Sequence, residues 1–242
     1  MITAIICAYN EERMLPAALH SLFAQTRVPD EVIVVNNASA DRTREIAASF
    51  PGVTVVDEPM KGLTKARAAG CRAARGDLLF YMDADCRAPV RLIERMERRF
   101  LASPRTVAIT GPYHFYDWDW IGVAGARLYD YTLAPFAHVI AQHVLGVGAI
   151  LYGGNFAVRR AALDVIGGFD TTIEFHGEDT NIGRRLTAAG RVDLMVSCPI
   201  ETSARRYKAL GRAHVFRLYV RNFWSETVHH RPKDIVHHDV RL

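Results

Sequence analysis

Two carboxylates flank an alanine at Asp83-Ala84-Asp85, directly after the apolar run Leu78 to Met82. Carboxylates placed together repel one another unless a positive charge lies between them. A divalent cation is the simplest such charge. Magnesium takes one or two protein carboxylates and fills its remaining positions with water and substrate phosphates. The pair therefore reads as half of a site for Mg2+ or Mn2+ that a diphosphate completes. In extended backbone an Asp-x-Asp projects both side chains to one side. The competing reading is structural: Asp85 caps the helix after Pro89, or both acids are solvated turn residues. Two further polar clusters, Tyr9-Asn10-Glu11 and Asn36-Asn37, also follow apolar runs.

The surrounding elements decide whether these clusters meet. Ile2 to Ala8, Glu31 to Val35, Val53 to Val56 and Asp77 to Met82 read as short buried strands. Between them, Glu11 to Gln25, a segment capped at Ser39 or Asp41 and running to Ser49, and Leu63 to Ala74 read as helices. Strand and helix alternating at this pitch imply parallel βαβ units, and strands this apolar are buried on both faces. In an open parallel sheet ligands bind beyond the carboxyl ends of the strands. All three clusters then face one crevice. Further on, Pro89 to Leu101 reads as a helix, Thr106 to Thr110 and Asn155 to Val158 as strands, Asp179 to Ala189 as a helix, Val192 to Ser197 as a strand, and Ala209 to Thr227 as a basic helix. The fold class expected is α/β in a single domain over 1–242. Its parts are a nucleotide-binding half at 1–110, an acceptor and catalytic half at 111–204, and a basic helix and tail at 205–242.

The 242 residues are half hydrophobic and carry a formal net charge of +4, enough apolar content for a sizeable core and a mild preference for anionic ligands. Neither GxGxxG nor GxxxxGK[ST] occurs, which disfavours a dinucleotide fold and a P-loop. Phosphates must then be held by metal and side chains. Cys7, Cys71, Cys86 and Cys198 are too widely spaced for a CxxC metal site or a dense disulfide framework. Together with a start that lacks a basic n-region and a cleavage site, this points to a cytoplasmic setting. From Tyr131 to Val158 no Asp, Glu, Lys or Arg occurs over 28 residues, but Pro135, His138, Gln142 and Gly153-Gly154 interrupt the run. It reads as a buried or membrane-facing helix rather than a span.

Six segments in this order, ICAYNEE, VNNASADRT, KGLTKARAAG, GDLLFYMDADC, GGNFAVRRAALDVIGGFD and HGEDTNIGRRL, resemble the family-2 inverting glycosyltransferases of the GT-A fold over nearly the whole chain. The resemblance implies a Rossmann-like, mostly parallel sheet with a mixed acceptor-side half. It also implies transfer of a sugar from a nucleoside-diphosphate donor to an acceptor hydroxyl, with a divalent metal. Ala8, Tyr9 and Glu11 would contact the nucleotide, Tyr9 and Glu11 along base and ribose. Asn37 stands where the family usually has a base-reading aspartate, and because an amide donates as well as accepts, the base stays open. Lys61, Lys65 and Arg67 belong to a segment that closes over the nucleotide. Asp83 and Ala84 would lie at the nucleotide, Asp83 against the ribose or a metal-bound water, and Asp85 would bind the metal directly.

In HGEDTNIGRRL the resemblance makes Asp179 the general base, with Glu178 as the alternative. A hydroxyl is a weak nucleophile, and a positioned carboxylate can take its proton as the bond forms. The helix start favours the ionised form. The bland reading is that both acids merely serve the first turn. Gly154 and Asn155 resemble the segment lining donor sugar and acceptor, and Arg205 and Arg206 would meet the diphosphate. The Gln-x-x-Arg-Trp motif of polymerising members is absent; only Arg221 to Trp224 comes near it.

Aromatic residues crowd 113–152, where a saccharide, a small molecule or a lipid-linked acceptor could bind. The C-terminal helix places Arg217 and Arg221 on one face and Phe216, Val220 and Phe223 on another, open to peripheral contact with the cytoplasmic face of a membrane. The histidines at 229, 230, 237 and 238 read as a surface tail rather than a metal site. Rival readings are a nucleotide-sugar-binding protein without catalysis and a sugar nucleotidyltransferase. A nucleic-acid partner is not expected, because the basic residues are dispersed.

Overall fold

The computed structural model describes residues 1–173 and 177–229. The first half follows the alternation read from the sequence. Strand β1 (Ile2–Ala8) leads to α1 (Leu15–Phe23), β2 (Glu31–Asn36), α2 (Thr43–Ser49), β3 (Val53–Asp57), α3 (Leu63–Ala73), β4 (Leu78–Asp83) and α4 (Leu92–Ala102). Helix α1 starts four residues later than its apolar spacing suggests. Pro16 lies within its first turn, the place where a missing backbone N–H costs nothing. Residues 11–14 are thereby left to form a turn beside the crevice.

The second half runs β5 (Thr106–Thr110), β6 (Tyr113–Phe115), α5 (Trp120–Leu128), α6 (Ala134–Val139), β7 (Asn155–Arg159), α7 (Arg160–Val165), α8 (Glu178–Leu186), β8 (Arg191–Leu194), β9 (Ile200–Thr202), α9 (Arg205–Leu210) and α10 (Arg212–His229). The seven-stranded sheet has the order β3-β2-β1-β4-β7-β5-β8. Strands β1 to β4 are mutually parallel, β7 is antiparallel to both its neighbours, and β8 is parallel to β5. The result is a mostly parallel α/β sheet with helices on both faces. Alternation is visible in the core: Ile6, Phe80 and Met82 pack under α1 and α4, while Ile5, Leu79 and Tyr81 pack on the opposite face. Strand β3, at the sheet edge, is only partly buried, unlike its expected fully buried neighbours.

The first half of the charge-free stretch, to Val144, belongs to a helix that begins earlier, at Trp120, and the end of the stretch forms β7. Helices α5 and α6 are joined by the π-helical turn Tyr129–Leu133, and a second π turn, Ile140–Val144, ends the rod. Its buried stripe is narrow: Asp130, Ala134, His138 and Ala141. Polar side chains in that stripe finish the sheet edge. Gln142 donates to the Val192 carbonyl at 3.0 Å and accepts from the Val192 amide at 2.8 Å. His138 Nε2 lies 3.0 Å from the same carbonyl, and Ile150 N donates to its Nδ1 at 3.2 Å. Edge groups of β8 are thus covered by side chains instead of another strand. Among the described residues no helix is long and apolar enough to cross a membrane.

Candidate active site

Parallel pairing aligns the carboxyl ends of β2, β1 and β4, with Ala8 opposite Asn36 and Cys7 opposite Asp83. The loops beyond them interlock. Asn10 N donates to Ser39 Oγ at 3.1 Å and Ala40 N donates to Asn10 Oδ1 at 2.8 Å. Glu11 N donates to Thr43 Oγ1 at 2.7 Å. Asn10 and Ala38 both hold positive φ, at 53° and 58°. A left-handed alanine costs energy that the surrounding contacts must offset, a situation common beside ligand sites.

Asp83 ends β4, and a turn closed by Cys86 N to Asp83 O at 3.1 Å follows. This turn, rather than extended alternation, gathers the acids. Ligand atoms of Asp83, Asp85 and Cys86 lie within 4.8 Å of one another. Asp85 caps no helix, since α4 begins at Leu92 with Arg91 before it and no side-chain cap. Burial raises the Asp85 carboxyl to about 6, with Asp83 and Glu11 adding to the rise and Arg205 and Arg206 opposing it. Burial also drives the Cys86 thiol well above its ordinary value, so it stays protonated. Asp83 and Glu11 add negative charge around Asp85 and Arg205 and Arg206 add positive charge, and the crowded oxygen donors of Asp83 and Asp85 fit a hard divalent cation.

A guanidinium now faces those acids. Arg205, at the start of α9, sets Nε 3.0 Å from Asp85 Oδ2. Its two terminal nitrogens engage both oxygens of Glu11, Nη1 at 2.9 Å from Oε2. Glu11 is 96% buried, counting its 4% exposure, so this fork is its principal compensation.

The second acidic pair opens α8. Gly177 precedes it in left-handed conformation (φ 84°), a geometry glycine adopts without strain. Thr180 N donates to Asp179 Oδ1 at 2.7 Å. Glu178 pairs with Arg67, Nη1 to Oε1 at 3.3 Å. Burial pushes both carboxyl groups up; the Asp179 charge adds to the rise of Glu178, the Thr180 amide lowers Asp179, and Arg67 and Arg206 pull both down. Arg67 is almost wholly buried and also donates to the Gly153 carbonyl at 2.8 Å.

Gly153-Gly154 lies between the two pairs. A Cβ at Gly154 would come 2.4 Å from Asp83 Oδ2, and one at Gly153 would come 3.2 Å from Glu178 Oε1 and 3.5 Å from Asp179 Cβ. Neighbouring Cα atoms are about 3.8 Å apart. One dipeptide therefore lies against Asp83 on one side and against Glu178 and Asp179 on the other. Gly154 N donates to Tyr113 Oη at 2.7 Å, and Tyr113 stacks edge-on with Tyr152. Tyr152 Oη donates to buried Asp130 at 2.5 Å, and burial lifts Asp130 to about 6.

Other residues singled out from the sequence take specific places. Ala8 and Ala84 are buried, and the Ala8 carbonyl accepts from Asn37 N at 2.8 Å. Tyr9 lies under Lys61 Nζ, 3.9 Å from the ring centre. Lys65 Nζ lies 3.5 Å from the Lys61 carbonyl. The Asn37 amide donates to the Glu58 and Met60 carbonyls and accepts from Gly62 N. An aspartate could not make the first two bonds, so the amide here pins the 58–62 loop. Asn155 is fully buried with its Nδ2 given to the Cys198 carbonyl, and its Oδ1 accepts no hydrogen bond among the described residues. Arg67, expected over the nucleotide, lies instead beneath Glu178. The signal for this was available: Arg67 shares its helix face with Ala66, Ala69 and Gly70, a stripe of small residues that brings α3 against β1. The roles of Tyr113, Asp130 and Tyr152 carried no comparable signal. His176, the tail histidines at 230, 237 and 238, and the side chains of Val220, Phe223 and His229 lie outside the described residues.

The chain is similar to known proteins over most of its length. A glucosyl-dolichyl phosphate glucuronosyltransferase of Haloferax volcanii is 24% identical over 196 residues, covering 76% of this chain and 58% of its own. An uncharacterized glycosyltransferase of Haemophilus influenzae is 38% identical over 91 residues, covering 37% of this chain and 31% of its own. This chain thus spans well under two thirds of the length of either relative. Among solved structures, a mannosyltransferase from Pyrobaculum calidifontis in complex with GDP-Man and Mn2+ superimposes with a TM-score of 0.68 at 22% identity, over 93% of this chain and 62% of that one. TarS of S. aureus superimposes with a TM-score of 0.66 at 15% identity, over 86% of this chain and 38% of that one. Both likenesses support the GT-A fold. The family described as Glycosyl transferase family 2 matches residues 3–167, more than half of the chain, and this protein belongs to it.

Proposed function

We propose that the protein transfers a sugar from a nucleoside-diphosphate donor to an acceptor hydroxyl, with inversion at the anomeric carbon. The observation that carries this reading is the Gly153-Gly154 dipeptide, which is flanked by Asp83 on one side and by Glu178 and Asp179 on the other. A single displacement needs charge relief at the leaving group and a proton acceptor at the attacking hydroxyl.

Asp85 and Asp83 would hold the divalent cation, which would supply Lewis-acid charge at the leaving diphosphate. Around that seat the chain's own groups bind and orient. Tyr9 and the 58–62 loop pinned by Asn37 border the nucleotide. Arg205 and Arg206, at the start of α9, approach the diphosphate, for which a guanidinium fork is well shaped. Asp179 takes the acceptor proton, its carboxylate oriented by Thr180 N. Glu178 is tied to Arg67 and so acts as the support of the pair. No covalent sugar intermediate is needed, which is why inversion follows. In the chain's natural setting the reading carries a cytoplasmic location with peripheral contact to a membrane.

The relatives add partial support: one is described as a glucuronosyltransferase, and one solved neighbour is a mannosyltransferase in complex with GDP-Man and Mn2+. The test is a thermal-shift series with nucleoside diphosphates with and without Mn2+, followed by transfer assays. One nucleotide should raise the melting temperature only with Mn2+. Asp85→Ala should abolish that metal-dependent part. Asp179→Asn should keep it yet lower transfer by roughly 100-fold or more. Wild-type transfer by Asp179→Asn sinks the assignment of the base.

A further inference from the structure

The rod Trp120–Val144 presents a long apolar face that nothing in the described chain covers. Trp120, Ile121, Leu128, Leu133, Phe136 and Val144 are each between 54% and 79% exposed. Isolated exposed hydrophobics are ordinary, but six on one continuous rod form a patch of the kind that marks an interaction surface. At about 1.5 Å per residue the rod is on the order of 35 Å long.

Charge on the rod itself is one-sided, and the exposed Asp119 that caps its start is paired with Arg212. Between Trp120 and Ile150 the only acid is Asp130, which is buried. Arg127 is exposed on the rod. Helix α10 begins beside its start, where Arg212 pairs with Asp119 and packs over Trp118, and one turn later Phe216 and Arg217 are exposed. Exposed Tyr129 and Tyr131 carry polar tips on apolar rings, the chemistry of side chains that settle at a lipid–water boundary. The rod's opposite stripe, His138 and Gln142 with Asp130, is fixed to β8 and Tyr152, so the rod cannot turn its face inward.

We infer that this face lies flat on an anionic lipid bilayer, apolar side chains in the acyl boundary and arginines at the headgroups, and that the acceptor is drawn from that bilayer. The first part stands on the surface alone. The second rests on the glycosyl-transfer reading above: the same rod reaches the acceptor side through Asp130, which accepts from Tyr152 beside Tyr113 and Gly154. A lipid-anchored acceptor then needs to rise only one helix diameter, roughly 10 Å, to reach the base.

The test uses vesicles of phosphatidylcholine with and without phosphatidylglycerol, in flotation at low and high salt. The wild-type protein should co-float with both. Anionic vesicles should bind it more tightly, with the excess lost at high salt. A Leu133→Ser, Phe136→Ser, Val144→Ser triple variant should lose at least about tenfold in partitioning. Arg127→Ala should weaken only the anionic, salt-sensitive part. The melting temperature of the triple variant, and its shift with nucleoside diphosphate and Mn2+, should match the wild type. Wild-type protein that stays with the unbound fraction overturns the proposal. So does equal flotation of the triple variant, or a wild-type dimer in solution that the same three substitutions dissociate, which would assign the face to a second copy. Flotation that persists in a protein showing no nucleotide shift would sink the glycosyl-transfer reading and the lipid acceptor while leaving the docking face in place.

Discussion

The two acidic pairs of the crevice differ in the cation that balances them. Glu178 and Asp179 are neutralised from below by Arg67, a side chain only 2% exposed on a helix in the middle of the core. Asp85 and Glu11 are neutralised from the side by Arg205, a quarter exposed and carried on a six-residue helix packed through aromatic contacts of Tyr207 with Phe115 and Trp118. The first cation is permanent, because withdrawing it would leave buried carboxylates alone. The second is a quarter exposed and within reach of solvent, although withdrawing it bares Glu11 and Asp85 unless another cation takes its place. On the proposed reading, the fixed cation tunes a base and the exchangeable one keeps a metal seat charge-balanced until metal and donor arrive.

Breaking the fixed side should have the largest effect. Arg67→Met removes the buried partner of Glu178 and the donor to the Gly153 carbonyl, and should cost about 3–5 kcal/mol of stability, read by chemical denaturation. The corresponding Arg205→Met change removes a guanidinium that is a quarter exposed but leaves Glu11 buried without its fork, so it should cost less, about 1–3 kcal/mol. Its signature lies elsewhere. With the competing guanidinium gone, Mn2+ alone should bind more tightly, by up to roughly tenfold in calorimetry above pH 7, while transfer slows. Weaker Mn2+ binding in Arg205→Met would show that the side chain helps to build the seat instead of occupying it.

The smallest effect sharpens the contrast by pH. Burial raises both Glu178 and Asp179, so the base is lost to protonation at a higher pH than an ordinary carboxylate. The kcat/KM profile should therefore fall as pH drops, with its acid midpoint above the usual carboxylate range of about 4. Glu178→Gln deletes a neighbouring negative charge and leaves Arg67 to Asp179. That stabilises the Asp179 anion and should move the midpoint down by about one unit. An unchanged or raised midpoint would assign the limb to another group.

Much of the donor side was legible because its physics is local. Apolar runs such as Ile2 to Ala8 and Leu78 to Met82 fix the strands, and parallel connections then bring their ends together, so Tyr9, Asn37 and Asp83 had to converge. What escaped reading depends on distant partners. Arg205 is 194 residues from Glu11 in the chain, and the small β6-β9 pair joins residues nearly 90 apart. Arg67 and Lys65 look alike as basic residues of one segment, yet helix phase buries one and leaves the other near the surface. The charge-free stretch was ambiguous for a different reason: lack of charge is equally compatible with a core and with a lipid face. Only the anchoring of His138 and Gln142 to β8 decides which side of the rod turns outward. Asn37 gave a true departure from the expected aspartate, but its consequence, a pinned loop, needed the carbonyls of Glu58 and Met60 to be located.

The paired glycines act as a gauge. Because Gly153 and Gly154 have no side chains to adjust, the gap between the two ends of the proposed displacement is set by a single peptide unit of rigid length. A sugar ring of any identity must fit that span, so discrimination among donors falls to the rim of the pocket and not to its floor. Enlarging either glycine would then misalign every substrate alike, whereas changes at the rim could exchange one sugar for another.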